Sequence, residues 1–91
     1  MKTISVYTSV QRNGTPCPYC IRALGLLKRK GLPFTEIDLS GRPNERMLLV
    51  EKAGGSTTVP QIFIGDEHVG GSDELHDLDA RGGLNPLLVD A

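Results

Sequence analysis

Cys17 and Cys20 are the residues of this chain whose types and spacing could do chemistry, because a thiol can exchange with a disulfide. They are the only two cysteines, and they enclose Pro18 and Tyr19. A pair at this spacing beside a β-α-β pattern is typical of a redox dithiol that closes into a disulfide and opens again. The alternative is a pair of small buried hydrophobic side chains, and a proline at a helix start favours an accessible, reactive Cys17 instead.

The two thiols are expected to play different parts. The thiolate is the form of cysteine that attacks a disulfide. Cys17 is predicted at the N-terminal cap of a helix, where unpaired backbone N–H groups and the positive end of the helix dipole stabilise an anion. We therefore expect Cys17 to be the ionised nucleophile. Cys20 lies one turn further along, so we expect it to stay buried and protonated until a mixed disulfide forms at Cys17, which it then attacks.

A metal site is the main rival use of two close cysteines. A structural zinc ion needs four ligands. Besides the two thiols the sequence offers His68 and His76, which lack the spacing of a zinc finger. We therefore expect no bound metal, and the two histidines are expected to be surface or hairpin residues without a role.

Length and charge limit the class of protein. The 91 residues fit one domain spanning residues 1–91, and the net charge of −1 argues against nucleic acid or an anionic membrane as the partner. The first residues alternate in polarity rather than forming a signal peptide, and no apolar run approaches the roughly 20 residues that span a bilayer. Two cysteines without a secretion signal fit a reducing compartment, so we expect a cytoplasmic protein.

Strands and helices that could position the dithiol are predicted from periodicity, caps and turn residues. Strands are predicted at residues 3–7, 34–39, 61–64 and around 68–69, with a tight turn at 65–67. Helices are predicted from Cys17 to Gly31, from Pro43 to Gly54, and from residues 70–73 to 81–83, with a last turn over residues 85–89.

The order of these elements predicts an α/β fold. The order is β-α-β-α-β-β-α, in which strands separated by a helix should be parallel and the hairpin should add antiparallel strands. The result is a four-stranded mixed sheet with helices on both faces. Ile21, Leu24 and Leu27 are expected on one face of the first helix, and Leu75 and Leu78 on the inner face of the third.

Four segments in this order resemble the glutaredoxins, and specifically the small bacterial dithiol members. They are Cys17-Pro18-Tyr19-Cys20, residues 58–64 (TVPQIFI), residues 70–75 (GGSDEL) and residues 78–84 (LDARGGL). The resemblance implies a thioredoxin fold whose sheet is flanked by three helices. It also implies glutathione as co-substrate, and protein–glutathione mixed disulfides or protein disulfides as the substrates to be reduced.

The resemblance also implies roles for the segment before the third strand. Pro60 is expected to be cis and to lie beside Cys17, so that the backbone of Thr58 and Val59 is presented to glutathione in strand-like pairing. The alternative from the residues alone is a proline that simply begins an edge strand.

A second part of the implied glutathione site lies at the start of the third helix. The N–H groups there, with Gly71 and Ser72, are expected to hold the γ-glutamyl carboxylate, and Asp73 to face the amine. The alternative is a plain helix cap with an acidic first turn. Tyr19 is expected to flank the reactive sulfur, or else to be an ordinary, partly exposed tyrosine.

One departure from the family concerns the glycyl carboxylate of glutathione. Family members have a short link before the dithiol with a lysine that meets this group, whereas residues 9–16 form a longer link without lysine. Arg12 and Arg46 are the candidate cations, and the alternative for each is a solvated surface charge.

Two other functions stay open from the sequence. One is a carrier in which two subunits bridge an iron–sulfur cluster, and Pro18 inside the motif argues against it because it is associated in the family with redox activity. The other is a thioredoxin-like donor to one reductase, recycled by a flavoprotein, and the Gly71-Ser72-Asp73 segment argues against it. We expect a monomer.

Overall fold

Four strands and four helices are present in this computed structural model, which describes residues 1–11, 14–15, 17–56 and 58–89. The strands are β1 (Ile4–Thr8), β2 (Thr35–Asp38), β3 (Gln61–Ile64) and β4 (Glu67–Gly70). The helices are α1 (Pro18–Arg29), α2 (Pro43–Lys52), α3 (Ser72–Ala80) and α4 (Leu84–Leu88).

The strands form one mixed sheet of four in the order β2-β1-β3-β4. β1 and β2 are parallel, with Ser5 opposite Thr35, because α1 carries the chain from one to the other. β3 is antiparallel to both β1 and β4, with Ile4 opposite Ile64. The predicted element order and the mixed sheet are therefore confirmed.

One face of the sheet packs against α1, α3 and α4. Ile4 and Val6 of β1 and Ile62 and Ile64 of β3 point to this face, and each is at most 1% exposed. The helices contribute the buried residues Ala23, Leu26, Leu27, Leu75, Leu84 and Leu88. This larger core holds the middle of α1 against the sheet, and the dithiol lies at the start of the same helix.

The opposite face packs against α2 through a smaller cluster. Phe63 is 1% exposed and lies among Leu39, Leu49 and the partly buried Tyr7 and Val59. The ring of Tyr7 meets that of Phe63 edge-on, with centroids 5.6 Å apart. Because helices cover both faces, all four residues of β3 are buried, as in strands at the centre of a two-sided sheet.

Some local expectations differ from the structure. The buried face of α1 is formed by Cys20, Ala23, Leu26 and Leu27, so Ile21 is 56% exposed. A helix turns about 100° per residue, which moves Ile21 off the stripe that includes Cys20 and Leu27.

The last turn also differs. It is the short helix α4, which spans Leu84–Leu88 instead of residues 85–89, so Val89 lies beyond it and is 65% exposed. The third helix follows the expectation, with Leu75 buried and Leu78 packed at the margin of the core.

Candidate active site

Cys17 occupies the N-cap of α1, as the sequence predicts. Its backbone is extended, with φ −69° and ψ 126°, while Pro18 is the first helical residue. The N–H of Ile21 donates to the carbonyl of Cys17 over 3.0 Å and so closes the first turn. The thiol therefore lies at the end of the helix where backbone N–H groups lack helical acceptors and the dipole is positive.

Cys17 is less accessible than its predicted position suggested. The residue is only 8% exposed, and its Sγ lies 3.8 Å from the carbonyl oxygen of Val59, to which the thiol donates. The segment before β3 folds over the start of α1 and covers the sulfur. The expectation of an exposed thiol is thus wrong for this reduced state, in which both cysteines are free.

Cys20 is the more buried thiol, at 4% exposure. Burial raises its pKa to about 12, and a hydrogen bond with Cys17 adds to the increase. The charges of Cys17 and Glu36 act in the same direction, and a hydrogen bond with the backbone of Ser9 opposes them. Cys20 is therefore protonated at neutral pH, in agreement with the expectation from its place one turn into the helix.

The peptide bond between Val59 and Pro60 is cis, as the resemblance implied. The alternative, a proline that begins an edge strand, is wrong, because Pro60 precedes β3 and β3 lies inside the sheet between β1 and β4. The segment that contains it faces the N-cap of α1 on one side. On the other side the carbonyl oxygen of Pro60 would lie 3.4 Å from a Cβ placed on Gly71. Gly71 therefore lies against the Pro60 carbonyl, within ordinary van der Waals reach of a Cβ.

A cavity of about 480 Å³ opens beside these segments. Its lining contains seven of the residues predicted for the glutathione site, together with one more. They are Tyr19, Thr58, Val59, Pro60, Gly71, Ser72, Asp73 and, in addition, Glu74. The structure thus brings together three segments that are far apart in the sequence. Glu74 was not predicted from the sequence to lie in this lining, although it is a second carboxylate in the first turn of α3, next to Asp73.

The start of α3 forms one wall of this cavity. Gly71 is the N-cap, and Ser72, the first helical residue, is 3% exposed. The ring Nδ1 of His76 lies 2.8 Å from the carbonyl oxygen of Ser72 and 3.4 Å from its hydroxyl oxygen. Because a carbonyl accepts, Nδ1 donates, so His76 is anchored to the helix start.

Asp73 has a partner in this structure. Its Oδ1 lies 3.6 Å from Nη1 of Arg22 on α1, with the two side chains 76% and 53% exposed. An ion pair this exposed contributes little stability. A cationic ligand group could therefore replace Arg22 at small cost.

The structure describes only one of the two predicted arginines. Arg46 lies on α2, and the residues lining the cavity do not include it. Arg12 lies outside the described residues. Within the described part of the chain, no three His, Cys, Asp or Glu side chains gather as metal ligands, and no helix is long and apolar enough to cross a membrane.

Comparisons with known proteins agree on one family. The family model described as Glutaredoxin matches residues 4–69. The chain is 52% identical over 88 residues to Glutaredoxin of Pseudomonas aeruginosa, which covers 97% of this chain and 98% of the relative. It is 47% identical to Glutaredoxin 3 of Escherichia coli K12, with 97% of this chain and 99% of the relative covered.

A solved structure resembles the fold and contains a ligand of the predicted kind. The crystal structure of the buckwheat glutaredoxin–glutathione complex is 27% identical to the chain, with a TM-score of 0.78. The match covers 96% of this chain and 76% of that one. The thioredoxin fold implied by the four sequence segments is therefore confirmed.

Proposed function

The chain belongs to the glutaredoxin family and is a thiol-disulfide oxidoreductase, and from that premise we propose that glutathione is its redox partner. The substrates we propose are protein–glutathione mixed disulfides and protein disulfides. The observation that supports this best is the cavity beside Cys17, lined by Tyr19, the Val59–Pro60 peptide and the start of α3. Such a cavity can hold a peptide-like thiol next to the nucleophile.

The first step forms a covalent adduct on Cys17. The Cys17 thiolate attacks the glutathionyl sulfur of a mixed disulfide, a new S–S bond forms and the old one breaks, and the protein thiolate leaves and takes up a proton. A glutathione thiolate then attacks the glutathionyl sulfur of the adduct. This releases glutathione disulfide and returns Cys17 as a thiolate, so that each turnover consumes one free glutathione and the other half of the disulfide is the glutathionyl group of the substrate.

Cys20 offers the second route. Its thiol must lose a proton before it can attack the Sγ of Cys17, and burial raises its pKa to about 12. Closure therefore requires the Cys17 adduct and a base that removes the Cys20 proton; the Cys17–Cys20 bond then forms, the bond from Cys17 to glutathione breaks, and glutathione leaves as a thiolate that takes up a proton. Two glutathiones then reopen the Cys17–Cys20 disulfide.

The cavity offers complementary groups to the cysteinyl and γ-glutamyl residues of glutathione. The backbone of Val59 would pair with its cysteinyl residue in strand-like fashion. The N–H groups at the start of α3 and the hydroxyl of Ser72 would donate hydrogen bonds to the γ-glutamyl carboxylate. Asp73 would take the amine in place of Arg22, and Tyr19, 55% exposed, would cover the sulfur.

The glycyl carboxylate needs a cation, and the described residues that line the cavity include none. Arg12 and Arg46 remain our candidates for this cation.

We also propose that the protein acts as a monomer in the cytoplasm, since two free cysteines suit a reducing compartment.

The test compares Cys17→Ser with Cys20→Ser in the reduction of a glutathionylated peptide. Cys20→Ser keeps the nucleophile and the first route, so most of its activity should remain. Cys17→Ser removes the only group that forms the adduct and should be inactive. Turnover by Cys17→Ser would show that the nucleophile is another residue.

A further inference from the structure

The buried amide of Gln61 ties the cavity wall to the sheet. Gln61 is 2% exposed, and its Nε2 lies 2.9 Å from the carbonyl oxygen of Thr58 and 3.2 Å from the Thr58 hydroxyl. The same nitrogen lies 3.0 Å from the hydroxyl of Ser56. One amide therefore holds the segment that leads into the Val59–Pro60 peptide.

These contacts determine how the amide is oriented. The Thr58 carbonyl can only accept, so the group that faces it must be the NH2 of Gln61. The amide oxygen then faces Nε2 of His68 at 2.6 Å. Because this oxygen accepts, His68 carries a proton on Nε2 and donates it.

His68 is itself held in place on β4. Its ring stacks on Phe63, with centroids 4.9 Å apart and planes 27° from parallel. The register of β3 and β4 shifts between Ile62 and Phe63, which places His68 directly opposite Phe63. Gln61 and Phe63 share a face of β3, so the imidazole reaches Gln61 along that face.

We propose that His68 is a positioning residue for the redox site, acting through Gln61 on the Thr58–Pro60 wall. Without the donor, the buried amide oxygen of Gln61 lacks a partner, and reorientation of the amide would release Thr58. The Val59 carbonyl, which meets the Cys17 thiol, belongs to the same wall. The role rests on the proposed function, since it concerns how tightly this wall binds the glutathionyl group.

Two substitutions by amide residues test whether the position of the donor nitrogen matters, independently of the imidazole ring. In His68→Gln the amide nitrogen can take the place of Nε2, whereas in His68→Asn it stops one atom short. We expect His68→Asn to raise KM for a glutathionylated peptide about three- to tenfold, the range of one hydrogen bond, with kcat within about twofold. His68→Gln should restore KM.

Glu67 is an exposed neighbour of His68 on β4, so Glu67→Gln serves as the control for changes on this strand. His68→Thr serves as a second variant without the donor, and its residue type suits a strand. Equal KM values in His68→Gln, His68→Asn and His68→Thr would overturn the proposal.

A spectroscopic readout tests the positioning role without turnover. In ¹H–¹⁵N correlation spectra, the side-chain amide of Gln61 and the backbone amides of Thr58 and Val59 should shift in His68→Asn and His68→Thr. They should stay near their wild-type positions in His68→Gln and Glu67→Gln. If these signals do not move in His68→Asn and His68→Thr, the positioning role of His68 is wrong. If instead the wild type does not turn over the glutathionylated peptide, that result counts against the proposed function alone.

Discussion

The Sγ of Cys17 and the carbonyl oxygen of Val59 lie 3.8 Å apart, although 42 residues separate them in the sequence. Only a protonated thiol can donate to a carbonyl, so this contact belongs to the thiol form. A thiolate at the same place would instead be stabilised by the N–H groups at the start of α1. The thiol form of Cys17 therefore occupies the carbonyl that the proposed strand-like pairing with glutathione would use.

The raised pKa of Cys20 predicts how stability depends on pH. Its pKa is about 12 in the folded protein against 9.0 for an ordinary cysteine. Between these values the unfolded chain loses this proton while the folded protein keeps it, so the free energy of unfolding should fall as pH rises through this window. Below pH 9.0 the contribution is fully present. Urea denaturation across this range should show a smaller fall for Cys20→Ser, and equal falls would contradict the prediction.

Gly70 and Gly25 should respond to alanine with opposite signs. Gly70 has φ +119°, and a Cβ there would lie 3.0 Å from Cγ of Glu74. We expect Gly70→Ala to lower the free energy of unfolding by about 1–2 kcal/mol, because an L side chain is strained in this conformation.

Gly25 lies inside α1, where a Cβ would meet only Nη1 of Arg29 at 3.8 Å. Gly25→Ala should therefore raise the free energy of unfolding by about 0.5–1 kcal/mol, through helix propensity. Thermal and urea unfolding of the two variants measure both effects. If the free energy of unfolding changed in the same direction in both variants, backbone conformation would not be what determines the effect of alanine.

Much of the site was predictable because its signals are local. Pro18 after Cys17 marks the helix start, and the Gly71-Ser72-Asp73 run marks another. The cis peptide at Pro60 came from the resemblance, since the residues alone favoured an ordinary strand start. The run that follows Pro60 and the turn residues after it were also sufficient to predict the bounds of β3, residues 61–64.

The contacts that were not predicted depend on tertiary packing. Cys17 is covered by the segment that contains Val59, 42 residues further along the sequence. The bond between Gln61 and His68 depends on the shifted register of the hairpin, which turn residues do not reveal. His68 was therefore assigned no role, although its ring is held by two partners. The exposure of Ile21 depends on which stripe of α1 meets the sheet.

The reductant that regenerates the oxidised protein should distinguish the proposed function from its alternatives. If the cavity binds glutathione, then glutathione with glutathione reductase should reduce the oxidised protein, while thioredoxin reductase should not. Both arms can be followed by consumption of the nicotinamide cofactor. Efficient reduction by thioredoxin reductase alone would favour the dedicated donor. A brown, iron-containing dimer after anaerobic purification would favour the cluster carrier.

Asp73 should contribute to glutathione binding as a charge. Replacement by Asn removes the carboxylate that would face the amine, and KM for a glutathionylated peptide should rise about two- to fivefold, the range of an exposed ion pair. The rise should shrink at high salt, because exposed charges are screened. Arg22→Gln should not raise KM, since Arg22 competes with the amine for Asp73.

Asp77 provides the matched control for this experiment. It lies on the same helix and pairs with Arg81 at 3.1 Å, with the side chains 65% and 68% exposed, but it does not line the cavity beside Cys17. Asp77→Asn therefore removes a comparable exposed ion pair without touching the ligand. Its KM should equal that of the wild type. An equal rise in KM for Asp77→Asn and Asp73→Asn would mean that the net charge of α3, and not a contact at Asp73, attracts the substrate.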